Sequence, residues 1–207
     1  MFTGIVQCKA KVNHVQTTNG ICRLIIEVQN QYAQAIELGV SIAINGVCLT
    51  VVKQVVSDMK NQLIYFDIID ETLRVTNLSS INTNDYVNFE RSLKVGDEIG
   101  GHQVSGHIHA KACVNEVTHN EDNCAITFEL ISGEGKYIFE KGFITINGVS
   151  LTVGQVKANQ FSVHLIPETL ARTNIGEIGK ESVVNIEFDQ QTITIVNTLE
   201  RMKLTLN

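Results

Sequence analysis

The chain contains one sequence module twice. The segment NGVCLTV at residues 45–51 returns as NGVSLTV at residues 147–153, and the two copies differ only at Cys48 and Ser150. Two copies are too few to stack as a solenoid, which needs at least three repeats, so each module must close around its own core. Shorter matches flank both copies in the same order, pairing residues 2–6 with 104–108, 71–73 with 168–170, 76–77 with 173–174 and 87–90 with 184–187.

Alternating β-branched residues predict four clear strands in each module, at residues 21–28, 41–44, 49–56 and 63–68 and at 125–130, 143–146, 151–156 and 161–166. Asn45-Gly46 and Asn147-Gly148 each join two of these runs, which predicts tight hairpins because both residue types tolerate positive φ. Short helices are expected near residues 31–38, 71–76, 135–140 and 168–173. About six strands per module without long helices predict an all-β fold, namely two tandem six-stranded antiparallel Greek-key barrels.

The repeat divides the chain into residues 1–97, residues 98–188 and a tail of residues 189–207. The tail has no partner in the first copy. Helical spacing gives it an apolar stripe that consists of Ile195, Val196, Leu199, Met202 and Leu206. The stripe either packs on its own barrel or joins copies of the chain, and the second alternative is favoured.

Composition excludes several functional classes. A net charge of −6 argues against nucleic acid, which needs clustered Lys and Arg. No apolar run approaches the roughly 18 residues of a membrane span. The N-terminus lacks the basic-then-apolar order of a signal peptide. The five cysteines form no CxxC pair and indicate neither a disulfide framework nor a zinc ribbon, so a reducing cytoplasm is expected.

Cys48 and Ser150 are the first candidates for chemistry. A cysteine beside a hairpin is usually inert packing, but its exchange for another nucleophilic side chain at the equivalent position favours a chemical role. The remaining thiols lack such a context and are interpreted as packing residues: Cys8, Cys22, Cys113 and Cys124.

The segment GGHQVSGHIH at residues 100–109 holds three of the six histidines. His107 and His109 share a strand face, which allows a metal site. Alternatively His102 and His107 form hydrogen bonds in a pocket and exchange protons near neutral pH, or these histidines are structural. His107 stands where the first copy has Ile5, a second point of divergence.

Three further positions carry weaker signals. Gly4 and Gly106 occupy equivalent positions, which indicates close approach of a ligand or of another backbone, or else a bulge. Asp189 directly follows the repeat and could cap a terminal helix.

Taken together, MFTGIV at the start, the two NGVxLTV segments, GGHQVSGHI and HLIPETLARTN resemble the riboflavin synthase family from residue 1 to about residue 201. The resemblance implies conversion of two molecules of 6,7-dimethyl-8-ribityllumazine into riboflavin and a ribitylamino-pyrimidine by transfer of a four-carbon unit. It implies neither a metal nor a redox cofactor. It also implies a homotrimer held by C-terminal helices, in which the N-terminal barrel of one subunit faces the C-terminal barrel of the next, and it leaves open a lumazine synthase partner.

The resemblance also implies a pocket in each barrel. In the first barrel it assigns Gly4, Ile5, Val6, Cys48, Leu49, Thr50, Asp67, Ile68, Ile69, Asp70, Glu71 and Thr72. In the second it assigns Gly106, His107, Ile108, Lys141, Ser150, Leu151, Thr152, Ile166, Pro167, Glu168, Thr169, Leu170 and Ala171. The family further places Phe2, Ser41, His107 and Asp189 near the substrates.

The implied mechanism is a dismutation in which one lumazine donates carbons and the other accepts them. The donor's C7 methyl group loses a proton and attacks the acceptor, which is primed at its own C7 by Cys48, Ser150 or water. His107 is the expected proton carrier and Asp189 a polar support, while Thr50 and Thr152 are expected to hydrogen-bond the rings.

The alternative is a lumazine-binding antenna protein, which shares the fold and catalyses nothing. Those relatives typically lose the cysteine and histidines that remain here as Cys48, His102 and His107. A diverged flavin-binding or purely structural double barrel is a further, less favoured alternative.

Overall fold

The structure is a computed structural model that describes residues 1–120, 123–131 and 134–202. The first module forms strands β1 Cys8–Thr18, β2 Ile21–Gln29, β3 Ser41–Ile44, β4 Val47–Val56, β5 Asn61–Ile69 and β6 Tyr86–Arg91. The second forms β7 Ala110–Asn120, β8 Asn123–Leu130, β9 Phe143–Ile146, β10 Val149–Lys157, β11 Gln160–Leu165 and β12 Val183–Phe188. The helices are α1 Asn30–Ala33, α2 Asp70–Val75, α3 Pro167–Arg172 and α4 Gln190–Met202, with 3-10 turns at Asn77–Ser80, Gly135–Tyr137 and Asn174–Glu177.

Each module closes into its own antiparallel barrel. The strand order is β1-β2-β5-β4-β3-β6 in the first barrel, and β7-β8-β11-β10-β9-β12 follows the same circuit in the second. Strand β2 lies beside β5 rather than β3, which is the crossover of a Greek key. The predicted fold of two tandem six-stranded barrels with a C-terminal helix is therefore confirmed. Among the described residues no helix is both long and apolar enough to cross a membrane.

Strand alternation fills the two barrel interiors. In β2 every second residue points inward, which buries Cys22, Leu24, Ile26 and Val28 in one core. In the second barrel Phe128 and Phe161 stack with ring centroids 5.5 Å apart. Full burial of such side chains contributes about 1.5–3 kcal/mol each, so each barrel holds a core of its own.

The Asn-Gly pairs form the predicted hairpins. Asn45 and Gly46 have φ of 46° and 78°, and Asn147 and Gly148 have φ of 45° and 82°. Positive φ at both central residues gives a turn whose twist matches that of the flanking strands. The two turns therefore fix the registers of β3 against β4 and of β9 against β10.

The structure also differs from the sequence expectations in several elements. The helix expected at residues 31–38 ends after Ala33, because Ala35 and Gly39 adopt positive φ. The helix expected at residues 135–140 is a single 3-10 turn. Strands β1, β6, β7 and β12 were not individually predicted. In β1 the inward residues include small Ala10 and the outward residues include lysines, which weakens the hydrophobic alternation.

Six buried asparagines join the two barrels. The backbone N–H of Asn77 donates to Oδ1 of Asn185 over 2.6 Å, and the N–H of Asn174 donates to Oδ1 of Asn88 over 2.7 Å. These two bonds are related by the repeat. The set also includes the hairpin residues, and its members are Asn45, Asn77, Asn88, Asn147, Asn174 and Asn185. Buried amides paired in this way rigidify an interface, because an unpaired one would be costly.

The two hairpin glycines meet at the centre of this asparagine set. A Cβ on Gly46 would lie 2.6 Å from the backbone nitrogen of Gly148, and a Cβ on Gly148 would lie 2.7 Å from that of Gly46. The barrels therefore touch backbone to backbone at their repeated turns.

We expect Gly46→Ala to destabilise the protein far more than Gly39→Ala. Both glycines have positive φ, so each substitution carries a left-handed strain of about 1–2 kcal/mol. Only Gly46 faces another backbone, whereas nothing lies within 4 Å of a Cβ on Gly39. Urea unfolding of both variants measures the difference, and equal losses of unfolding free energy would contradict the backbone contact between the barrels.

Candidate functional site

Two equivalent segments pair between the barrels. The N–H of Phe2 donates to the carbonyl of Val104 over 2.7 Å, and the N–H of Val104 donates to the carbonyl of Phe2 over 3.0 Å. Phe2 and Val104 are fully buried there with Ala43, and Cys48 packs against this group. The repeat thus creates a pseudo-twofold contact at the entry to each module.

Each of these segments crosses to the opposite barrel. The carbonyl of Gly4 accepts from the N–H of Ser150 over 2.8 Å, and that of Gly106 accepts from the N–H of Cys48 over 2.9 Å. Val6 accordingly packs in the second core, and Ile108 packs against the first. The expected grouping was therefore wrong. Residues 4–6 lie beside Ser150 and residues 106–108 beside Cys48, because the segments exchange across the pseudo-twofold axis.

Gly4 and Gly106 are required by this exchange. They have φ of +74° and +82°, and a Cβ on either would lie 2.6 Å from Cβ of Ser150 or 2.7 Å from Cβ of Cys48, respectively. The predicted close approach is confirmed, and another backbone is what approaches. Any side chain at these positions would displace the hairpin that carries the candidate nucleophile.

Ser150 forms a hydrogen-bonded pair with His102. Ser150 Oγ lies 2.6 Å from Nδ1 of His102, and Nε2 of the same ring lies 3.2 Å from Oγ1 of Thr145. The ring stacks on Phe143 with centroids 4.9 Å apart. Because both partners are hydroxyls, either neutral tautomer of His102 satisfies the two contacts; in the one with its proton on Nε2, Nδ1 accepts from Ser150 and Nε2 donates to Thr145.

Burial favours the neutral form of His102. The imidazole is almost fully buried, and this desolvation lowers its pKa below the ordinary value, while the negative charge of Asp189 opposes the shift. A neutral imidazole that accepts from a hydroxyl can take its proton. The pair Ser150–His102 is thus equipped to activate the serine oxygen or to move a proton at it.

A cavity of about 470 Å³ opens beside this pair. Its wall combines the His102 and Phe143 rings with Asp189 and the start of α4. Oδ2 of Asp189 also accepts from the N–H and the hydroxyl of Thr192, each over 2.8 Å. The predicted cap of the terminal helix is confirmed, and the same residue lines the cavity.

Cys48 stands in a different environment from Ser150. Its backbone is held as that of Ser150 is, but its thiol forms no hydrogen bond with any residue that the structure describes. Cys48 is half-buried beside Phe2 and Gly106. Cys48 and Ser150 therefore differ in the hydrogen bonding of their side chains as well as in their reactive atom, which is sulfur in one and oxygen in the other.

The histidines of residues 100–109 separate into three roles. His107 is exposed, and its ring forms no hydrogen bond within the described part of the chain. His109 accepts from the N–H of Phe188 through Nδ1 over 3.2 Å and stacks on that ring, which is the structural alternative. Of the expected pair, only His102 forms hydrogen bonds in a pocket.

The remaining expected positions are buried, half-buried or exposed. Leu49, Ile68 and Leu151 are buried, because they occupy inward positions of their strands. Leu170 packs partly against the second core, and Thr72, Thr169 and Ser41 are half-buried. Exposed are Ile5, Thr50, Asp67, Ile69, Asp70, Glu71 and, in the second module, Lys141, Thr152, Ile166, Pro167, Glu168 and Ala171.

Several of the exposed charges already have partners. Asp67 forms a two-point ion pair with Arg23 over 2.8 and 2.9 Å, which lowers the pKa of the carboxyl. Glu71 pairs with Arg74, and Glu168 pairs with Arg172. These surface pairs orient the side chains and contribute little stability.

Sequence reasoning missed two glutamates that hold the crossing segments. Glu90 and Glu187 are buried and accept hydrogen bonds from residues 3–4 and 105–106, respectively. Their signal was present, since both end an identical Val-Asn-x-Glu match between the modules. Thr145 and the asparagine set were missed as well.

Comparisons with known proteins agree with this geometry. The family described as lumazine binding domain matches residues 3–92 and 105–189. A riboflavin synthase of Escherichia coli (strain K12) is 44% identical over 203 residues, which cover 98% of this chain and 93% of that protein. A riboflavin synthase of Chlamydia pneumoniae is 39% identical over 98% of this chain and 96% of its own length. The chain belongs to the riboflavin synthase family.

Solved structures of LumP have the same fold as this chain. LumP complexed with riboflavin superposes with a TM-score of 0.83 at 26% identity, covering 92% of this chain and all of LumP. LumP complexed with 6,7-dimethyl-8-(1'-D-ribityl) lumazine gives a TM-score of 0.81 at 25% identity. Riboflavin synthase family members and LumP therefore share this double barrel.

We expect His102 to make stability depend on pH. Because its pKa is lowered in the folded protein, the unfolded chain binds a proton below about pH 6.5 that the folded chain does not bind. The free energy of unfolding should therefore fall as pH drops from about 6.5 toward the folded pKa, and His102→Gln should flatten that decline. Urea unfolding from pH 5 to 8 measures it. The exposed His14, which bonds only Gln16, provides the control His14→Gln, and equal slopes in both variants would contradict the assignment.

Proposed function

We propose that this protein is a riboflavin synthase. As a transferase it converts two molecules of 6,7-dimethyl-8-ribityllumazine into riboflavin and 5-amino-6-ribitylamino-uracil by transfer of a four-carbon unit. One observation carries the proposal: two backbone-equivalent positions hold Cys48, without a hydrogen-bond partner among the described residues, and Ser150, bonded to buried His102. The proposal is supported by the similarity of this chain to the riboflavin synthases of Escherichia coli and Chlamydia pneumoniae.

The reaction class suits a duplicated site. Two identical heterocycles must be held face to face, and correct orientation can supply about 7–11 kcal/mol of barrier reduction. One molecule donates carbons and the other accepts them, so equivalent frames with unequal side chains fit the task. The pseudo-twofold contact gives the two sites equivalent backbones. The exchanges of Cys48 for Ser150 and of Ile5 for His107 give them different side chains.

We assign the chemistry to residues around the hairpins. Cys48, Ser150 or a water molecule adds to the acceptor ring, and His102 exchanges the proton at Ser150. His107, being exposed, carries protons at the open side of the first site, and Asp189 is a polar support beside the second. Exposed Thr50 and Thr152 hydrogen-bond the substrate rings.

We propose that the expected pocket segments contribute to sites shared between barrels. The hydrogen bonds from Ser150 to Gly4 and from Cys48 to Gly106 support placing residues 4–6 in the Ser150 site and residues 106–108 in the Cys48 site. Residues 67–72 and 166–171, which start α2 and α3, line the corresponding outer walls together with Ser41 and Lys141. The functional division remains that of residues 1–97, 98–188 and 189–207.

A homotrimer is proposed from the terminal helix. Helix α4 contacts its barrel through Ile193 and Asn197, the latter bonded to Tyr137 over 2.7 Å. Of the predicted stripe, Ile195, Leu199 and Met202 lie on the other side and are 59%, 49% and 63% exposed. Val196 is half-buried, and Leu206 lies outside the described residues. Packing of this stripe against other copies of the chain would bury it and would complete sites that neighbouring chains share. A lumazine synthase partner rests on the family resemblance alone, and a cytoplasmic location on five free thiols.

A lumazine-binding carrier is the second candidate, because LumP complexed with riboflavin has the same fold along its whole length. The two candidates differ in ligand number and in product. The enzyme needs two substrate molecules for each reaction, whereas the antenna class holds one chromophore.

The test is to incubate the purified protein with 6,7-dimethyl-8-ribityllumazine alone and to follow both compounds by chromatography. We expect one riboflavin for every two lumazines consumed, without added metal or nucleotide. Calorimetric titration with riboflavin as a non-reacting probe should give more than one site per chain. Tight binding of one ligand per chain without product would instead establish the carrier.

Leu199→Glu should dissociate the trimer. A charge in the apolar stripe of α4 would have to be buried without a partner, which is strongly unfavourable. Sedimentation velocity should show the mass falling to that of one chain, while Arg201→Glu, on the flank of the same helix, should leave the assembly intact. A wild-type protein that sediments as a single chain would overturn the proposed trimer.

A further inference from the structure

Each crossing segment is held by a buried carboxylate. Oε1 of Glu90 accepts from the N–H and the hydroxyl of Thr3 over 2.7 and 2.8 Å, and Oε2 accepts from the N–H of Gly4 over 3.2 Å. Glu187 repeats this pattern with Ser105 and Gly106 over 2.7, 2.8 and 2.9 Å. Both glutamates are almost completely buried, at 4% and 3% exposure.

These carboxylates depend on backbone N–H and hydroxyl donors. Neither forms a salt bridge with a Lys or Arg that the structure describes. Burial raises the pKa of both groups; the N–H and hydroxyl donors oppose that shift, and for Glu187 the charge of His107 also opposes it. A buried carboxylate without a cation is costly, so its retention in both modules indicates a function.

The hydrogen bonds continue from each carboxylate to the opposite barrel. Glu187, at the end of β12, binds the N–H of Gly106, and the Gly106 carbonyl in turn binds the N–H of Cys48 in the first barrel. Glu90, in β6, reaches Ser150 in the second barrel through Gly4 in the same way. Each chain of contacts is short, because a single glycine residue links the carboxylate to the opposite hairpin through its N–H and its carbonyl.

We propose that Glu90 and Glu187 are cross-barrel positioning residues: Glu187 sets the position of Cys48, and Glu90 sets that of Ser150. The inference rests on the proposed function for its catalytic consequence, but not for its geometry. Each barrel therefore holds the reactive side chain of its partner barrel in place.

The two positioning residues are not equally important. Ser150 has a second anchor in His102, whereas the thiol of Cys48 has none among the described residues. Gly106 and Phe2 cover Cys48, since a Cβ on Gly106 would lie 2.7 Å from Cys48 Cβ and 2.9 Å from the Phe2 ring. Loosening this segment should uncover the thiol.

The matched variants Glu187→Gln and Glu90→Gln test this inference. Glutamine keeps one accepting oxygen but presents an NH₂ group to the second backbone N–H, so one hydrogen bond is replaced by a repulsive contact. We expect iodoacetamide to alkylate Cys48 about tenfold faster in Glu187→Gln, which corresponds to an opening that is easier by about 1.4 kcal/mol. Glu90→Gln should accelerate this alkylation much less, because it loosens Thr3 and Gly4 while Phe2, which also covers Cys48, stays paired with Val104. Peptide mapping by mass spectrometry assigns the modified thiol.

Equal acceleration in both variants would overturn the cross-barrel assignment, because a general loss of stability uncovers Cys48 regardless of the barrel that is altered. Wild-type rates in both would also overturn it. If either glutamine variant does not fold, Ser105→Ala and Thr3→Val remove the hydroxyl donor to each carboxylate, together with the acceptor of the His107 and Ile5 N–H groups, respectively. The same contrast is then expected, with a smaller change.

Kinetics separate this inference from the proposed function. If the wild type forms riboflavin, both glutamine variants should lower kcat about tenfold or more and raise KM by a smaller factor, since they displace Cys48 or Ser150 together with one segment of the proposed pocket. If the wild type forms none, the proposed function fails, whereas the alkylation contrast still decides the positioning role.

Discussion

The buried contact between the two repeated hairpins is the constraint on which the rest of the structure depends. Gly46 and Gly148 approach too closely for any Cβ, and six asparagines satisfy the polar backbone around them. Hydrogen bonds at this depth need good geometry, because an unpaired buried amide costs about 1–3 kcal/mol. The contact therefore fixes one relative placement of the barrels, and that placement brings each entry segment onto the opposite hairpin.

A common frame with different side chains follows from this arrangement. The backbone N–H groups of Cys48 and Ser150 donate equivalent hydrogen bonds to the carbonyls of Gly106 and Gly4, respectively. Divergence is confined to what surrounds the side chain: Ser150 meets a neutral, stacked His102, while Cys48 meets Phe2 and Val104. Burial and hydrogen bonding thus set unequal chemistry without any change in the path of the chain.

Local patterns predicted the barrels well, and non-local contacts explain what they missed. The Asn-Gly turns and strands such as β2 follow from residue types that are adjacent in sequence. The exchange of residues 2–6 and 104–108 could not be predicted, because either barrel offers an equivalent docking position. His102, and not His107, forms the hydrogen bond with Ser150, because His102 is buried beside it. Sequence spacing does not reveal this burial. Glu90 and Glu187 were visible as repeated acids, but a buried carboxylate without a cation runs against the usual expectation.

His102 precedes the first matched segment of the second module, residues 104–108, and has no counterpart in the first module. Two separate identical subunits would present the same residue at both hairpins, and any substitution would appear in both. Joining the copies in one polypeptide allows one hairpin to change while the other is retained, and the joining peptide itself can bring a new group to one side only. Within one polypeptide, the two halves of a pseudo-symmetric pair can thus carry different groups at equivalent positions.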